Sequence, residues 1–388
     1  MKILATALCA AALVAASAPA DARTKLVTLP DRAKLLASLE HPYQSLLSEE
    51  RELTLQQGAN QIDFSWQGVA IDPSSIRLFL LDHPGEGPDA TKIISVAFPP
   101  GEQALTWQLY SPAARTERIR VVYLLSGISR AHQYDLTVDA AETKGLFRQY
   151  FQMTNQSGED LDNAAFRIAQ NPQDLQRSVD SGETRRFLAL EAADLPVTKL
   201  FIARPDPYSQ RGDDGEAISM VYEIENSAAK KLGGFKLDPG KARIFAEDPD
   251  GSTIFLGEDN LPETAVQEKA ELALGTVRDV LLKRRIMRDE QEVKRTNNQR
   301  RPVLADRHVH LRYEVENFKD APATVRVVER IPAGAEVREH DTDGVSVLRK
   351  DATTLEVTIT LPPRPADQKE KVPVKEVNLK YEEMNVRQ

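Results

Sequence analysis

The sequence contains one cysteine, Cys9, in the apolar stretch at its start. Beyond that stretch no disulfide, thiolate nucleophile or cysteine-ligated metal centre can be built. Exported domains with small cores often depend on disulfides. A chain of 388 residues has room for two or three domains that each bury a core without them. Tryptophan is also scarce: Trp66 and Trp107 are the only two, and both stand at alternating positions that read as buried. Basic charge is in deficit, with a net charge of −9. That argues against nucleic acid as a partner, because phosphate binding needs a basic footprint. After the N-terminal stretch, no apolar run approaches the roughly 20 residues of a membrane-spanning helix. The Gly-x-Ser-x-Gly elbow, the P-loop, the dinucleotide fingerprint and His-Glu-x-x-His are all missing, which removes the commonest hydrolase and nucleotide-dependent chemistries.

The N-terminus supplies the address. Lys2 is followed by Ile3 to Ala16, mostly Ala, Leu and Val, and then by Ala20-Asp21-Ala22. A positive start, a short apolar core and small residues before a cleavage point make a secretory signal peptide. Cleavage is expected after Ala22, and the protein is expected in the periplasm or outside the cell. Leu8 before Cys9 is too large for a lipoprotein site, so no lipid anchor is expected.

The dominant pattern is apolar alternation of period two, which places one face of a strand in a core. It runs through Ile62, Phe64 and Trp66; Ile76, Leu78 and Leu80; Leu105, Trp107 and Leu109; and Met220, Tyr222 and Ile224. It resumes at Val309, Leu311, Tyr313 and Val315, then at Leu355 to Leu361, and again at Val377, Leu379 and Tyr381. Turn residues such as Asp72-Pro73, Pro99-Pro100-Gly101, Asp238-Pro239-Gly240 and Pro332-Ala333-Gly334 separate the runs. The expectation is an all-β chain of two to three largely antiparallel, Ig-like β-sandwich domains in tandem, with little helix. The expected divisions are residues 1–22 as signal peptide, 23–140 as an N-terminal β domain, 141–300 as a central sandwich region and 301–388 as a C-terminal one. Two stretches are ambiguous. Arg32 to Arg51 has helix-like spacing (Leu36, Leu39, Tyr43, Leu47) interrupted by Pro42. Thr264 to Ile286 fits a helical face or a strand, and Gly275 weakens the helix.

Tyr222 to Asn226 reads YEIEN, Tyr313 to Asn317 reads YEVEN, and Phe151 to Asn155, FQMTN, is a weaker copy. Each alternates an aromatic and an apolar residue with polar ones and then reaches Asn, which tolerates left-handed backbone and bonds its own main chain. Read this way, the pentapeptide is a strand running into a turn, repeated along the chain, and carries no catalysis. Coincidence is the alternative, because the pattern is short.

Several motifs fall in one order: Asn155-x-Ser157-Gly158-Glu159-Asp160; Leu237-Asp238-Pro239-Gly240-Lys241-Ala242-Arg243-Ile244-Phe245; Asp250-Gly251 followed by Leu256-Gly257-Glu258-Asp259; and Leu272-Ala273-Leu274-Gly275. Together they resemble the exported bacterial family known as "domain of unknown function 4139". Asn317 and Glu329-Arg330-Ile331-Pro332 fit its C-terminal part. Residues before about 140 resemble its usual N-terminal partner domain through Arg51 to Gly58 and Ile71-Asp72-Pro73-Ser74-Ser75. The resemblance implies β-sandwich-like domains, reads Thr264 to Ile286 as strands and implies no activity. The chain departs from the family in lacking a long coiled coil, and in having Ser129-Arg130-Ala131-His132-Gln133 where a Trp often precedes the equivalent of Tyr134.

Local candidates for chemistry are few. Asp306, His308 and His310 share one face of a strand, a pattern that suits zinc, but Arg312 continues that face with a charge hostile to a cation. Arg211-Gly212-Asp213 matches an adhesion tripeptide in an exposed turn. Glu159, Asp160 and Asp162, and then Glu258 and Asp259, are carboxylate clusters; turn capping is the plainer reading of each. The basic run Lys283 to Arg301 is interleaved with Asp289, Glu290 and Glu292 and reads as a solvated face. The resulting expectation is a non-catalytic interaction or scaffolding protein of the cell envelope. It has a protein partner, no cofactor, no nucleic acid and no membrane insertion. The alternatives are a glycan- or polymer-binding module and a metal-dependent hydrolase using His308 and His310.

Overall fold

The computed structural model describes residues 25–27, 29–41, 43–168, 175–206, 215–248, 250–365 and 372–387. The stretch 1–22, expected as a signal peptide, and the Arg211-Gly212-Asp213 tripeptide lie outside these residues. Among the described residues the regular structure is β-strand, with two single-turn 3-10 helices and no α-helix. The fold is all-β, and the described strands form five sheets.

Two compact units divide the chain, and each is discontinuous. The first holds the described residues up to Ser129 together with Met153–Arg185; the second holds Arg130–Gln152 and Arg186 onward. In the first, one sheet runs in the order Lys25–Val27, Gly58–Ser65, Ala104–Ser111, Lys92–Ala97. The other runs Leu175–Val179, Leu161–Arg167, Lys34–Ser38, Ser45–Leu55, Arg115–Leu125, Arg77–Leu80. Alternating residues of Lys34–Ser38, Ser45–Leu55, Gly58–Ser65, Ala104–Ser111 and Arg115–Leu125 are buried, and Phe64 touches the rings of Trp66, Trp107 and Tyr123. The Arg32 to Arg51 stretch is two strands and not a helix. Leu35, Ala37, Leu39 and Leu47 are buried at period two, whereas Tyr43, needed by the helical reading, is 85% exposed.

In the second unit, the strands Lys269–Thr276, Ile218–Glu225, Thr198–Ala203, Ala323–Arg330, Thr354–Leu361 and Val345–Arg349 form a six-stranded sheet. Val280–Thr296, Pro302–Asn317, Val374–Arg387 and Glu336–His340 form a four-stranded one. The two share a core of Val309, Leu311, Tyr313, Val325, Val327, Leu355 to Leu361, Val377 and Leu379. Thr264 to Ile286 resolves into strands. A five-stranded sheet, built around Ile128–Val138 and Gly240–Glu247, packs Tyr134, Leu136 and Ile244 against Tyr222, Ile224 and Leu272. Tyr134 is buried without a preceding Trp, and its hydroxyl donates to Asp238 O at 2.6 Å.

Most pairing among the described strands is antiparallel. Parallel pairs join Lys25 with Asn60, Ala165 with Leu36, Phe201 with Val325 and Gly240 with His132. Period two reports which face is buried and carries no information on strand direction, so these crossovers are invisible in the pattern.

The repeated pentapeptides end in a shared device. Asn155, Asn226 and Asn317 are all buried. Asn317 Nδ2 donates to Ala321 O (3.0 Å) and Pro362 O (2.8 Å), while Oδ1 accepts from Lys319 N (3.1 Å). Asn155 repeats the arrangement, with the near contacts at the same offsets: Nδ2 to Glu159 O (2.7 Å) and to the more distant Val179 O (3.1 Å), Oδ1 from Ser157 N (3.1 Å). Asn226 spans a longer loop, reaching Phe235 O, Thr264 O and Ala265 O and accepting from Gly233 N. In each case the amide ties the turn after its strand to a neighbouring segment and satisfies buried backbone groups. The weakest sequence copy, FQMTN, is the closest geometric match to YEVEN.

Candidate interaction edge

The histidine strand does not assemble a metal centre. His310 Nε2 lies 3.0 Å from Asn378 Oδ1, and His308 Nδ1 lies 3.0 Å from Glu382 Oε1. An irregularity between Ala305 and Arg307 buries Asp306 next to Ala305 and breaks the alternation. Asp306 accepts from Asn385 N at 2.9 Å and faces Lys294. The three side chains thus take separate partners, and among the described residues no group of three or more His, Cys, Asp or Glu could hold a metal ion.

The carboxylate clusters are structural. Glu159 pairs with Arg32, and Asp160 Oδ1 accepts from Ser181 N. Glu258 pairs with Lys241 and is held below the usual carboxylate range by that hydrogen bond. Asp259 Oδ2 accepts from Ala273 N at 2.7 Å. Glu258 and Asp259 lie within the strand Thr253–Leu261, so Asp259 links two strands where a turn cap was expected. Trp66 and Trp107 are both buried, so neither tryptophan supplies an aromatic platform for a glycan. Most of the basic run is exposed, but Arg284 is not. It is buried with Glu329 in a two-point ion pair (2.9 and 2.7 Å), and the buried Tyr313 hydroxyl donates to the same carboxylate at 2.9 Å. Burial opposes charge on Arg284, yet the bonds to Glu329 outweigh it and raise its pKa.

The feature that departs most from an ordinary solvated surface is the strand Lys92–Ala97. It is the terminal strand of its sheet, and all six of its residues are exposed. Ile93 aligns with Leu109 and Val96 with Trp107, with an irregularity between Ile93 and Ser95. Leu109 and Trp107 are buried, but Ile93, Ile94, Val96 and the following Phe98 are exposed by 40%, 58%, 45% and 56%. The apolar face of the sheet therefore runs past its own cover. An exposed apolar edge is a template for another strand, and proteins ordinarily blunt it.

This strand is held firmly in place. The buried Glu117 accepts from Asp82 N (3.2 Å), His83 N (3.0 Å) and Thr91 Oγ1 (3.2 Å), and its Oε2 lies 2.8 Å from His83 Nδ1. Thr91 N donates to His83 O at 3.1 Å, and Arg115 Nη1 donates to Asp89 O at 2.8 Å. Arg118 grips Asp82 through Nε (2.9 Å) and Nη2 (2.7 Å), and that bond holds the Asp82 carboxyl below its usual range. The 81–91 loop is thus anchored along Arg115–Leu125, and the edge strand starts from a fixed point at Thr91. At its far end Gly101 takes a left-handed turn (φ 81°) into Ala104–Ser111.

Sequence reasoning over alternating residues passed over Lys92 to Phe98. The signal was there in another form: a seven-residue window of β-formers with one charge, stopped by Pro99-Pro100. No family model matches the chain, and no curated protein matches it in sequence.

Proposed function

We propose that this protein is a non-catalytic interaction or scaffolding module of the cell envelope. Its working surface is the edge strand Lys92–Ala97, which takes an extended segment of a partner by strand addition. The observation that carries this reading is the combination of exposed Ile93, Ile94 and Val96 on an unpaired edge with a buried Glu117 network that fixes where the edge begins. Strand addition draws affinity from main-chain hydrogen bonds and specificity from alternate side chains. A pre-set strand lowers the ordering entropy lost on binding. The envelope location rests on Lys2, the apolar run Ile3 to Ala16 and Ala20-Asp21-Ala22. The likeness to the exported family of unknown function supports the same placement.

The test is chemical cross-linking of the purified protein in envelope extracts, beside an Ile94→Lys/Val96→Lys variant. Both side chains are exposed, so the variant is expected to fold as the parent does, as checked by circular dichroism. A partner captured by the parent and lost in the variant is the expected result. Capture that the variant leaves unchanged, or no capture by either, refutes the proposal.

A further inference from the structure

We infer that the occupant of the Lys92–Ala97 edge is a second copy of the same strand, paired antiparallel about a twofold axis through Ser95. This deepens the reading of that strand as an interaction edge and rests on it.

The argument comes from register. Ile93 and Val96 align with the buried Leu109 and Trp107, so both continue the inner face. Lys92, Ser95 and Ala97 align with Tyr110, Gln108 and Thr106 on the outer face, and Ser95 Oγ donates to Gln108 Oε1 at 3.2 Å. Ile94 is the additional residue of the irregularity between Ile93 and Ser95. A twofold axis perpendicular to a sheet pairs only residues of the same face, because directly opposed side chains in antiparallel strands lie on one side. With Ile94 of each copy standing outside the pairing, as it does against Ala104–Ser111, reversing this strand against itself meets that condition at each paired position. Ser95 meets Ser95 of the second copy, Ile93 meets Val96, and Lys92 meets Ala97. The inner face gains two Ile–Val contacts that extend the buried surface of both sheets. The outer face brings no like charges together, since the two Lys92 side chains stand four strand steps apart, about 13 Å, beyond the screening length of roughly 8 Å at physiological salt.

A lysine and an irregularity are devices by which an edge strand refuses chance partners. In this register neither obstructs. Each Lys92 stands at an end of the pair, and the two Ile94 residues fall symmetrically about the axis. The same devices hinder a strand of different spacing, which favours the identical copy over an arbitrary extended segment.

The test uses the full chain with Cys9→Ser, which leaves no native cysteine. Ser95→Cys is added, and Leu348→Cys serves as control, being 63% exposed on the edge strand Val345–Arg349. Opposed Cα atoms in such a pair lie about 4.5–5.5 Å apart, within disulfide reach. Mild oxidation is expected to link Ser95→Cys into a dimer and leave Leu348→Cys monomeric. Sedimentation velocity is expected to show a dimer of the parent chain, with association weakened on the order of 100-fold by Val96→Lys, because two apolar contacts are lost per dimer. A parent chain that stays monomeric, or equal linking of both cysteines, overturns self-pairing. If that chain still captures a different protein that Ile94→Lys/Val96→Lys releases, self-pairing is overturned while the edge reading stands. If it captures nothing, both fall.

Discussion

Asn317 is the most direct test of what the repeated pentapeptide does. Replacing it with Ala removes two donated bonds, to Ala321 O and Pro362 O, and one accepted bond, from Lys319 N. The side chain is wholly buried, so water cannot replace all three. At about 1 kcal/mol net for each bond, Asn317→Ala is expected to cost about 3 kcal/mol. With a urea slope of about 3 kcal/mol/M, the midpoint falls by about 1 M. Far-UV circular dichroism is the appropriate probe, because Trp66 and Trp107 both belong to the other unit. Asn317→Asp keeps the acceptor for Lys319 N but sets a carboxylate against two carbonyl oxygens, so it is expected to cost at least as much as Ala. Asn155→Ala, which loses the same set of contacts plus a bond from Ser157 Oγ at 2.7 Å, is expected to cost a similar amount, read by tryptophan fluorescence. A loss below about 0.5 kcal/mol in both alanine variants is typical of ordinary surface changes. It would show that the pentapeptide is a coincidence of spelling and not a structural lock.

Three further outcomes follow from the same geometry. Removing one member of the Arg284–Glu329 pair, as in Glu329→Ala, is expected to cost about 3–5 kcal/mol because it strands a buried charge. Arg284→Met/Glu329→Leu together is expected to recover most of that in thermal unfolding; an equal loss in the double variant contradicts the account. Burial pushes the Glu142 carboxyl up, but hydrogen bonds from Lys199 and Tyr222 outweigh it and hold the group below its usual range. Its folded pKa is thus depressed, so the stability it contributes is present above the unfolded value of about 4.3. That contribution is lost as pH falls through the folded value. Tyr222→Phe is expected to flatten this acid loss and cost about 1 kcal/mol at neutral pH, measured by urea titration between pH 7 and 3. Gly158→Ala is expected to prevent the first unit from folding, since φ is +83° and an added Cβ would lie 2.0 Å from Gly68 O; a soluble variant with intact tryptophan burial contradicts that.

Much of the architecture was legible because half-buried strands write their faces at period two. Val309 to Val315 and Leu355 to Leu361 alternate in the sequence and in burial alike. What failed was local. Leu36, Leu39, Tyr43 and Leu47 mimic a helix because two short strands and a turn happen to place leucines three and four apart. Asp306 left its expected face because one irregularity shifts every neighbour's direction. Arg284 looked like one more solvated cation, since its partner Glu329 lies 45 residues away and no local pattern announces it. The edge Lys92–Ala97 was overlooked for the opposite reason: alternation marks strands that are covered on one side, and this one is covered on neither.

The discontinuous first unit has a consequence for synthesis. Its six-stranded sheet receives Leu161–Arg167 beside Lys34–Ser38 by parallel pairing, and Leu175–Val179 beyond that. While residues up to 129 have left the ribosome, the Lys34–Ser38 strand has a bare flank that stays bare until Leu161–Arg167 emerges, about 40 residues later. At about 5–20 residues per second, that wait lasts several seconds. A holding chaperone would guard that flank, and slowing translation between residues 130 and 180 should raise the aggregated fraction more than slowing it anywhere after.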